Sequence, residues 1–235
     1  MKKMTSAFAA ASIVVVAAAS SASAAELSLK YTGIAGAGVS IDIEQLGKNR
    51  DGITAGLLNF ASADGKSFAA YCVELAQYTS TSLQTYQVGS FNTAQGSNLQ
   101  KLLSANYASV DTHTERAAFQ MAVWELTHES KAGAFSVTEG ASDKDGQGFN
   151  LNDSTSNFGS LVSQVNSYLD AGAAYQGAHL YQIEKLSNAN HQDLLRFNAL
   201  PPVTAVPEPT SYALLLAGLG VIGFVSRRRS NVRKS

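Results

Sequence analysis

The chain of 235 residues contains one cysteine, Cys72, and one tryptophan, Trp124. A single cysteine excludes an internal disulfide. In an exported protein it is either a buried inert thiol or a thiol kept for chemistry. The sequence also lacks a phosphate-binding loop, a dinucleotide-binding fingerprint and a zinc-ligand cluster. We therefore expect no cofactor and no metal site of these kinds.

Positive charge is scarce outside the two ends of the chain. Seven of the 17 basic residues lie at the termini, which leaves ten against 18 acidic residues and gives the body a charge of about −8. An acidic body without a basic patch argues against nucleic acid or anionic lipid as its partner.

Residues 1–24 have the three parts of a secretory signal peptide. Lys2 and Lys3 give a positive start, residues 7–19 are apolar, and residues 22–24 (Ala-Ser-Ala) are a small-residue cleavage site. We predict export by the Sec machinery and removal of this segment. The alternative, a membrane-spanning helix, is less favoured because the apolar run is short.

The C-terminal end also has three parts in order. Pro207-Glu208-Pro209 is followed by an apolar run at residues 212–225 and then by Arg227-Arg228-Arg229. A helix over that run rises only about 21 Å, whereas the hydrocarbon core is about 30 Å thick. The run is thus marginal as a permanent span, and we predict a short hydrophobic helix that inserts transiently, with its arginines held in the cytoplasm.

This pattern resembles the PEP-CTERM sorting signal of Gram-negative bacteria over residues 206–229. The resemblance implies recognition by an exosortase, a membrane peptidase that removes the tail, and an association with exopolysaccharide production. It also implies export through the inner membrane, transient anchoring, and a final place at the cell surface or in the extracellular matrix. A simple C-terminal anchor is the alternative.

The sequence pattern of the body predicts an α+β fold, with β-sandwich or barrel-like strands and an inserted helical segment. We assign residues 1–24 to the signal peptide, 25–200 to the body, 201–211 to a linker with the Pro-Glu-Pro motif, and 212–235 to the hydrophobic segment and basic tail. Alternating apolar residues and the Asp64-Gly65 hairpin signal indicate the strands. We predict strands near residues 27–31, 39–43, 53–60, 68–75, 135–137, 179–183 and 194–197, helices near 99–107, 112–133 and 158–169, and a loop at 142–157.

The second predicted helix carries polar residues at a regular spacing. Thr112 and Glu115 match a capping box at its start. Gln120, Trp124 and His128 stand four apart, so they lie near one another on the surface of the helix.

Cys72 and Gln120 are a pair that can condense. The cysteine sulfur attacks the side-chain carbonyl of Gln120, ammonia leaves, and an internal thioester remains. The reaction requires that the two groups be held in contact and that water be kept away. Trp124, one turn beyond Gln120, is placed to cover the bond.

Tyr71-Cys72 and the segment Phe119-Gln120-Met121-Ala122-Val123-Trp124 resemble the two signature motifs of bacterial thioester domains, known from surface adhesins. The similarity covers about residues 26–198. It implies that Cys72 and Gln120 are the thioester pair and that Trp124 packs beside them. From their positions beside these residues we predict Tyr71 and His128 as supporting residues. Such a domain attaches once, covalently, to an amine or hydroxyl of an extracellular protein or polysaccharide, and is not a turnover enzyme.

The sequence is also compatible with two other functions. In one alternative Cys72 is a buried inert thiol in a non-covalent structural protein of the exopolysaccharide matrix. In another the protein is a cysteine hydrolase, with His113 or His128 as the base. We favour a solvated helix face for His113, His128 and Glu125. A calcium site at residues 143–153 is disfavoured against a solvated acidic loop, because the ligand spacing does not fit an EF-hand.

Overall fold

The computed structural model describes residues 25–45, 48–129, 134–138, 148–202, 214–219 and 221–222. The chain divides into two compact units, residues 1–199 and 200–235. The predicted signal peptide, the Pro207-Glu208-Pro209 motif and the basic tail lie outside the described residues.

Within the described residues the first unit contains nine strands and three α-helices. The strands are β1 (Glu26–Ile34), β2 (Val39–Gln45), β3 (Lys48–Ala55), β4 (Leu58–Ser62), β5 (Ser67–Cys72), β6 (Gln84–Gly89), β7 (Phe149–Leu151), β8 (Tyr181–Ser187) and β9 (Leu194–Ala199), and the helices are α1 (Thr93–Asn106), α2 (His113–His128) and α3 (Phe158–Ala174).

Six strands close an antiparallel barrel in the order β1-β4-β5-β9-β8-β6, and β3, β2 and β7 form a separate sheet. The predicted hairpin at Asp64-Gly65 joins β4 to β5, and Gly65 has a positive φ of 82° there. Closure leaves the barrel no free edge, and the three helices supply the other layer of the core. The prediction of an α+β fold with barrel-like strands is confirmed.

Several predicted elements differ from the observed ones. The predicted strand at residues 53–60 is two strands, split at Gly56, where a Cβ would lie 2.8 Å from the side chain of Ile34. Residues 135–137 are not a strand, although the Val137 carbonyl accepts a hydrogen bond from the Leu151 N–H. Strand β6 was not predicted, and β7 lies in the predicted loop at 142–157.

Helix α2 is the central element of the helical layer. The predicted capping box is confirmed: the Thr112 hydroxyl accepts from the Glu115 N–H, and the Glu115 carboxylate accepts from the Thr112 N–H. All ten residues from 117 to 126 are buried, so the helix is covered on every side. It ends at His128, earlier than the predicted end at Gly133, which lies outside the described residues.

In the second unit, residues 214–219 and 221–222 are helical, and their side chains are exposed. Among the described residues, no helix has both the length and the apolar character needed to cross a bilayer. The predicted hydrophobic helix over 212–225 and its transient insertion therefore stay predictions.

Candidate functional site

Cys72 is the last residue of β5 and is 6% exposed. Successive side chains of a strand point to opposite faces, so Tyr71 and Cys72 face different surroundings. Tyr71 enters an aromatic cluster, with its ring centroid 5.0 Å from that of Phe119 and 5.9 Å from that of Phe197. Cys72 instead faces a cavity that is also lined by Trp124.

The backbone of Cys72 lies at a point where β5 loses a neighbour. The side of β5 that faces β9 is paired: Cys72 lies opposite Leu194 of β9, and the Val73 N–H donates to the Asp193 carbonyl. Backbone groups of successive residues point to opposite sides of a strand, so the N–H and C=O of Cys72 point towards β4. The β4–β5 ladder begins only at the Leu58–Ala70 pair, so no strand residue meets them there.

The side chain of Gln120 takes the place of that missing neighbour. The Cys72 N–H donates to Gln120 Oε1 at 2.8 Å, and Gln120 Nε2 donates to the Cys72 carbonyl at 2.8 Å. Gln120 is 1% exposed. The carboxamide thus imitates a peptide group at the strand edge, and it lies against the backbone of Cys72.

Helix α2 fixes Gln120 from both ends. The capping box at Thr112 sets the start of the helix about two turns before Gln120. At the other end the Thr127 hydroxyl lies within hydrogen-bond distance of the Val73 carbonyl, at 3.1 Å, and of the Val123 carbonyl of its own helix, at 2.9 Å. Trp124 lies one turn after Gln120, is 1% exposed, and packs against Phe149 at 5.7 Å between ring centroids.

Burial controls the protonation of the thiol. Loss of solvation raises the pKa of Cys72 far above its usual range, so the sulfur is a neutral thiol at physiological pH. The pKa of Tyr31 is also raised, mainly by burial and to a smaller extent by the nearby Cys72. Any reaction of Cys72 must therefore move the thiol proton in the bond-forming step, since a free thiolate is scarce.

The cavity beside Cys72 has a volume of about 400 Å³, within the range of small-molecule sites. Its walls come from β1, β3, the segment after β5, and α2. Besides Cys72, the lining includes Tyr31, Arg50, Asp51, Gln77, Tyr78 and Trp124. We name this space the Cys72 cavity. Tyr78, at its rim, is 79% exposed.

The histidines lie elsewhere. None of the four, all within the described residues, lines the Cys72 cavity. His113 is exposed in the first turn of α2, and the ring of His128 contacts the Trp124 carbonyl at 3.0 Å through Nδ1. Burial lowers the pKa of His128 and so favours the neutral ring.

The prediction of a solvated face for His113, His128 and Glu125 holds for His113 alone. The carboxyl of Glu125 is fully buried, and burial raises its pKa to about 8. Its Oε1 accepts from the Ser136 N–H at 2.9 Å. The helical pattern did not predict the burial of Glu125, because the loop at 134–138 covers a helix face that is polar in sequence.

The calcium prediction falls only in part on described residues, because residues 143–147 lie outside them. Of the remaining ligands considered, Asn152 is engaged locally: its Oδ1 accepts from the Ser154 N–H at 3.2 Å. Within the described part of the chain, no three acidic, histidine or cysteine side chains group in a way that holds a metal.

Comparison with known protein families gives a match at the C-terminal end of the chain. Residues 205–229 match the PEP-CTERM protein-sorting motif. The PEP-CTERM match agrees within one residue with the predicted signal at 206–229. The motif implies an exported protein of a Gram-negative bacterium that is processed by an exosortase and placed at the surface or outside the cell.

The PEP-CTERM match covers none of the body. Neither the curated proteins nor the solved structures gave a match to this chain. The role of the body therefore rests on its own residues.

Sequence reasoning identified Cys72 and Trp124 of the cavity, and Gln120 as the partner of Cys72, but missed the other lining residues. Tyr31 appears in the sequence only as one member of an alternating strand, and Gln77 stands in an irregular segment. No local signal connects these residues, because the cavity is assembled from segments that are distant along the chain.

Proposed function

We propose that the body carries an internal thioester between Cys72 and Gln120, and that this exosortase-processed protein uses it to attach covalently to an amine or hydroxyl of an extracellular target. One observation supports the proposal most strongly. The Gln120 carboxamide lies against the Cys72 peptide group through two buried hydrogen bonds of 2.8 Å. Because these bonds hold the carboxamide against the backbone of the residue that carries the thiol, the two groups react as parts of one molecule rather than by a bimolecular encounter.

Formation of the bond balances without a further reagent. The sulfur of Cys72 forms a bond to Cδ of Gln120, the bond from Cδ to Nε2 breaks, and the thiol proton leaves with the nitrogen as ammonia. During the step Oε1 gains negative charge. The Cys72 N–H already donates to Oε1 and stabilises that charge as an oxyanion donor does.

Burial then preserves the product. Gln120 is 1% and Cys72 6% exposed, so water has little access to the bond from any side but the cavity. A nucleophile of the target attacks Cδ, the bond from Cδ to sulfur breaks, and the proton passes to Cys72. The target becomes linked through the side chain of Gln120, and the domain acts once.

Methylamine tests the proposal directly. The purified protein is incubated with methylamine, digested and mapped by mass spectrometry. We expect the methylamine to be incorporated at Gln120 and a new free thiol to appear at Cys72. Cys72→Ala is the control that should take up none, while Gln87→Leu, an exposed change on β6, should react as the natural chain does.

Failure of Gln120 to incorporate methylamine in the folded protein would contradict the proposal. The pair of hydrogen bonds would then serve only to complete the strand edge. That result would favour the alternative function, a non-covalent structural protein of the exopolysaccharide matrix with Cys72 as an inert thiol.

A further inference from the structure

One wall of the Cys72 cavity is formed by β3. Five consecutive residues of this strand, from Arg50 to Thr54, line the cavity. Successive side chains of a strand point to opposite faces, so neighbours along a single wall indicate that the strand turns its edge towards the cavity. Asp51, Gly52 and Thr54 are exposed, and Arg50 and Ile53 are half-buried, so solvent reaches this edge. A ligand in the cavity therefore meets the backbone of β3 as well as its side chains.

The edge of β3 that faces away from β2 has no strand partner in the described part of the chain. β3 is the end strand of its sheet and pairs there with β2 alone. Backbone groups of successive residues point to opposite sides of a strand, so about half of the N–H and C=O groups of β3 point away from β2. Among the described residues, the side-chain partner of the β3 backbone is Asp42 of β2, whose Oδ1 accepts from the Gly52 N–H, and no loop backbone bonds to β3. The outward groups are therefore free to pair with an added chain.

The free edge of β3 lies in the same enclosed space as the thiol. The cavity is lined by Cys72 and, on another side, by the segment that follows β5. We call the space between β3 and residues 75–79 the β3 groove. The Arg50 guanidinium donates to the Leu75 carbonyl, which ties β3 to this segment and fixes the groove between them. A chain that lies along β3 is therefore held beside Cys72 in a preorganised site.

The chemistry of the strand edge indicates the class of ligand. An extended polypeptide repeats its N–H and C=O groups every second residue, about 6.8 Å apart, and so matches a strand edge over several residues. The hydroxyls of a saccharide do not follow this repeat. Charge selects among polypeptides: the body carries about −8, so it attracts a basic segment and repels a second copy of itself. A basic, extended segment of another protein therefore fits the β3 groove better than either alternative.

We propose that a basic, extended polypeptide segment binds in the β3 groove as an added strand on the free edge of β3, and that this pairing places a side chain of the segment at the thioester. The reactive step rests on the proposed function. When that side chain is a lysine, the neutral amine forms a bond from Nζ to Cδ of Gln120, the bond from Cδ to the Cys72 sulfur breaks, and an amine proton passes to that sulfur. The product is an isopeptide bond between the segment and the Gln120 side chain.

Hydrogen exchange locates binding without requiring the reaction. Cys72→Ala, which cannot form the thioester, is incubated with the basic peptide acetyl-Lys-Thr-Val-Lys-Val-Thr-Lys-amide, and amide exchange is followed by mass spectrometry. We expect about half of the amides of residues 48–55 to exchange quickly in the free protein and slowly in the complex, while β6, which lies outside the cavity lining, is unchanged. Absence of added protection in residues 48–55 would overturn the inference, and so would equal protection by cellobiose. Slow exchange of all of β3 in the free protein would show that the chain or a second copy already covers this edge, and would also overturn it.

Two N-methylated forms of the peptide separate strand addition from attraction by charge alone. One form is methylated at the odd residues and the other at the even residues, so each loses the N–H groups of one edge while length and charge are kept. In an added strand one edge faces β3 and the other faces solvent. We expect one form to bind more than about tenfold more weakly than the parent peptide, because it loses several hydrogen bonds together, and the other to bind as the parent does. Equal loss in both forms, or loss in neither, would contradict strand addition.

Reaction of the natural chain keeps the two proposals distinguishable. The peptide and Nα-acetyl-lysine amide are added at equal concentration, and the mass gained at Gln120 is measured. We expect the peptide to react at least about tenfold faster, since binding raises its effective concentration, and the weakly binding N-methylated form to lose this advantage. Protection of β3 without uptake of peptide or methylamine would refute the thioester and support the β3 groove alone. Uptake of methylamine with no preference for the peptide over Nα-acetyl-lysine amide would retain the thioester and overturn the role of the β3 groove.

Discussion

The buried carboxyl of Glu125 makes the stability of the body depend on pH. The side chain is fully buried on α2, where burial, together with the nearby Glu129, raises its pKa from 4.5 to about 8. The carboxyl therefore binds its proton more tightly in the folded than in the unfolded protein. The contribution of the Glu125 carboxyl to stability is fully present below about pH 4.5 and is lost as the pH rises through about 8.

The magnitude follows from the shift. Each pKa unit corresponds to about 1.4 kcal/mol, so the free energy of unfolding should fall by about 4 kcal/mol between pH 5 and pH 8. That is a large part of the 5–15 kcal/mol by which domains are typically stable. Glu125→Gln keeps an oxygen for the Ser136 N–H but does not ionise, and it should lose this dependence.

Urea unfolding of the natural chain and of Glu125→Gln, from about pH 5 to about pH 9, checks the prediction. The variant should become increasingly more stable than the natural chain as the pH rises. Glu115→Gln is the opposite control, since backbone hydrogen bonds from Thr112 and Asp111 lower the pKa of Glu115. Its stability cost should stay constant across this range and should shrink only as the pH falls through the lowered pKa of Glu115. A stability difference between Glu125→Gln and the natural chain that does not change with pH would refute the reasoning.

Three further changes test the elements that position the site, each by urea unfolding. Gln120→Leu leaves the N–H and C=O of Cys72 unpaired and should cost about 2–6 kcal/mol; a loss below 1 kcal/mol would show that the strand edge pairs otherwise. Thr112→Ala removes the cap of α2 and should cost about 1 kcal/mol, and no change would mean that packing alone sets the start of the helix. Gly172→Ala places a Cβ 3.2 Å from the Cα of Leu102, where α3 crosses α1, and should cost about 1–3 kcal/mol; a neutral result would mean that the two helices separate easily.

Much of the fold could be predicted because local chemistry and tertiary structure agree. The capping box at Thr112, the Asp64-Gly65 hairpin and the closing strands follow from turn chemistry and period-two alternation. Strand β6 was missed because its burial alternates weakly, with Tyr86 as its one buried side chain. The split at Gly56 depends on the nearby side chain of Ile34, which no local pattern reveals.

The candidate site shows the same division. The rare residue types pointed to Cys72 and Trp124, and a resemblance of two short motifs added Gln120. The way in which Gln120 meets Cys72, as a substitute for a strand neighbour, depends on β4 starting two residue pairs too late to cover that edge. The lining of the Cys72 cavity likewise forms only when segments distant along the chain enclose it.

The intact mass of the folded protein is the most direct test of a bond between Cys72 and Gln120. The protein is purified without denaturation, its two ends are assigned, and its mass is compared with that calculated from the sequence. Our account predicts a mass lower by one ammonia, with the deficit lost in Cys72→Ala. The full calculated mass, with the Cys72 thiol titratable once the chain is unfolded, would contradict it.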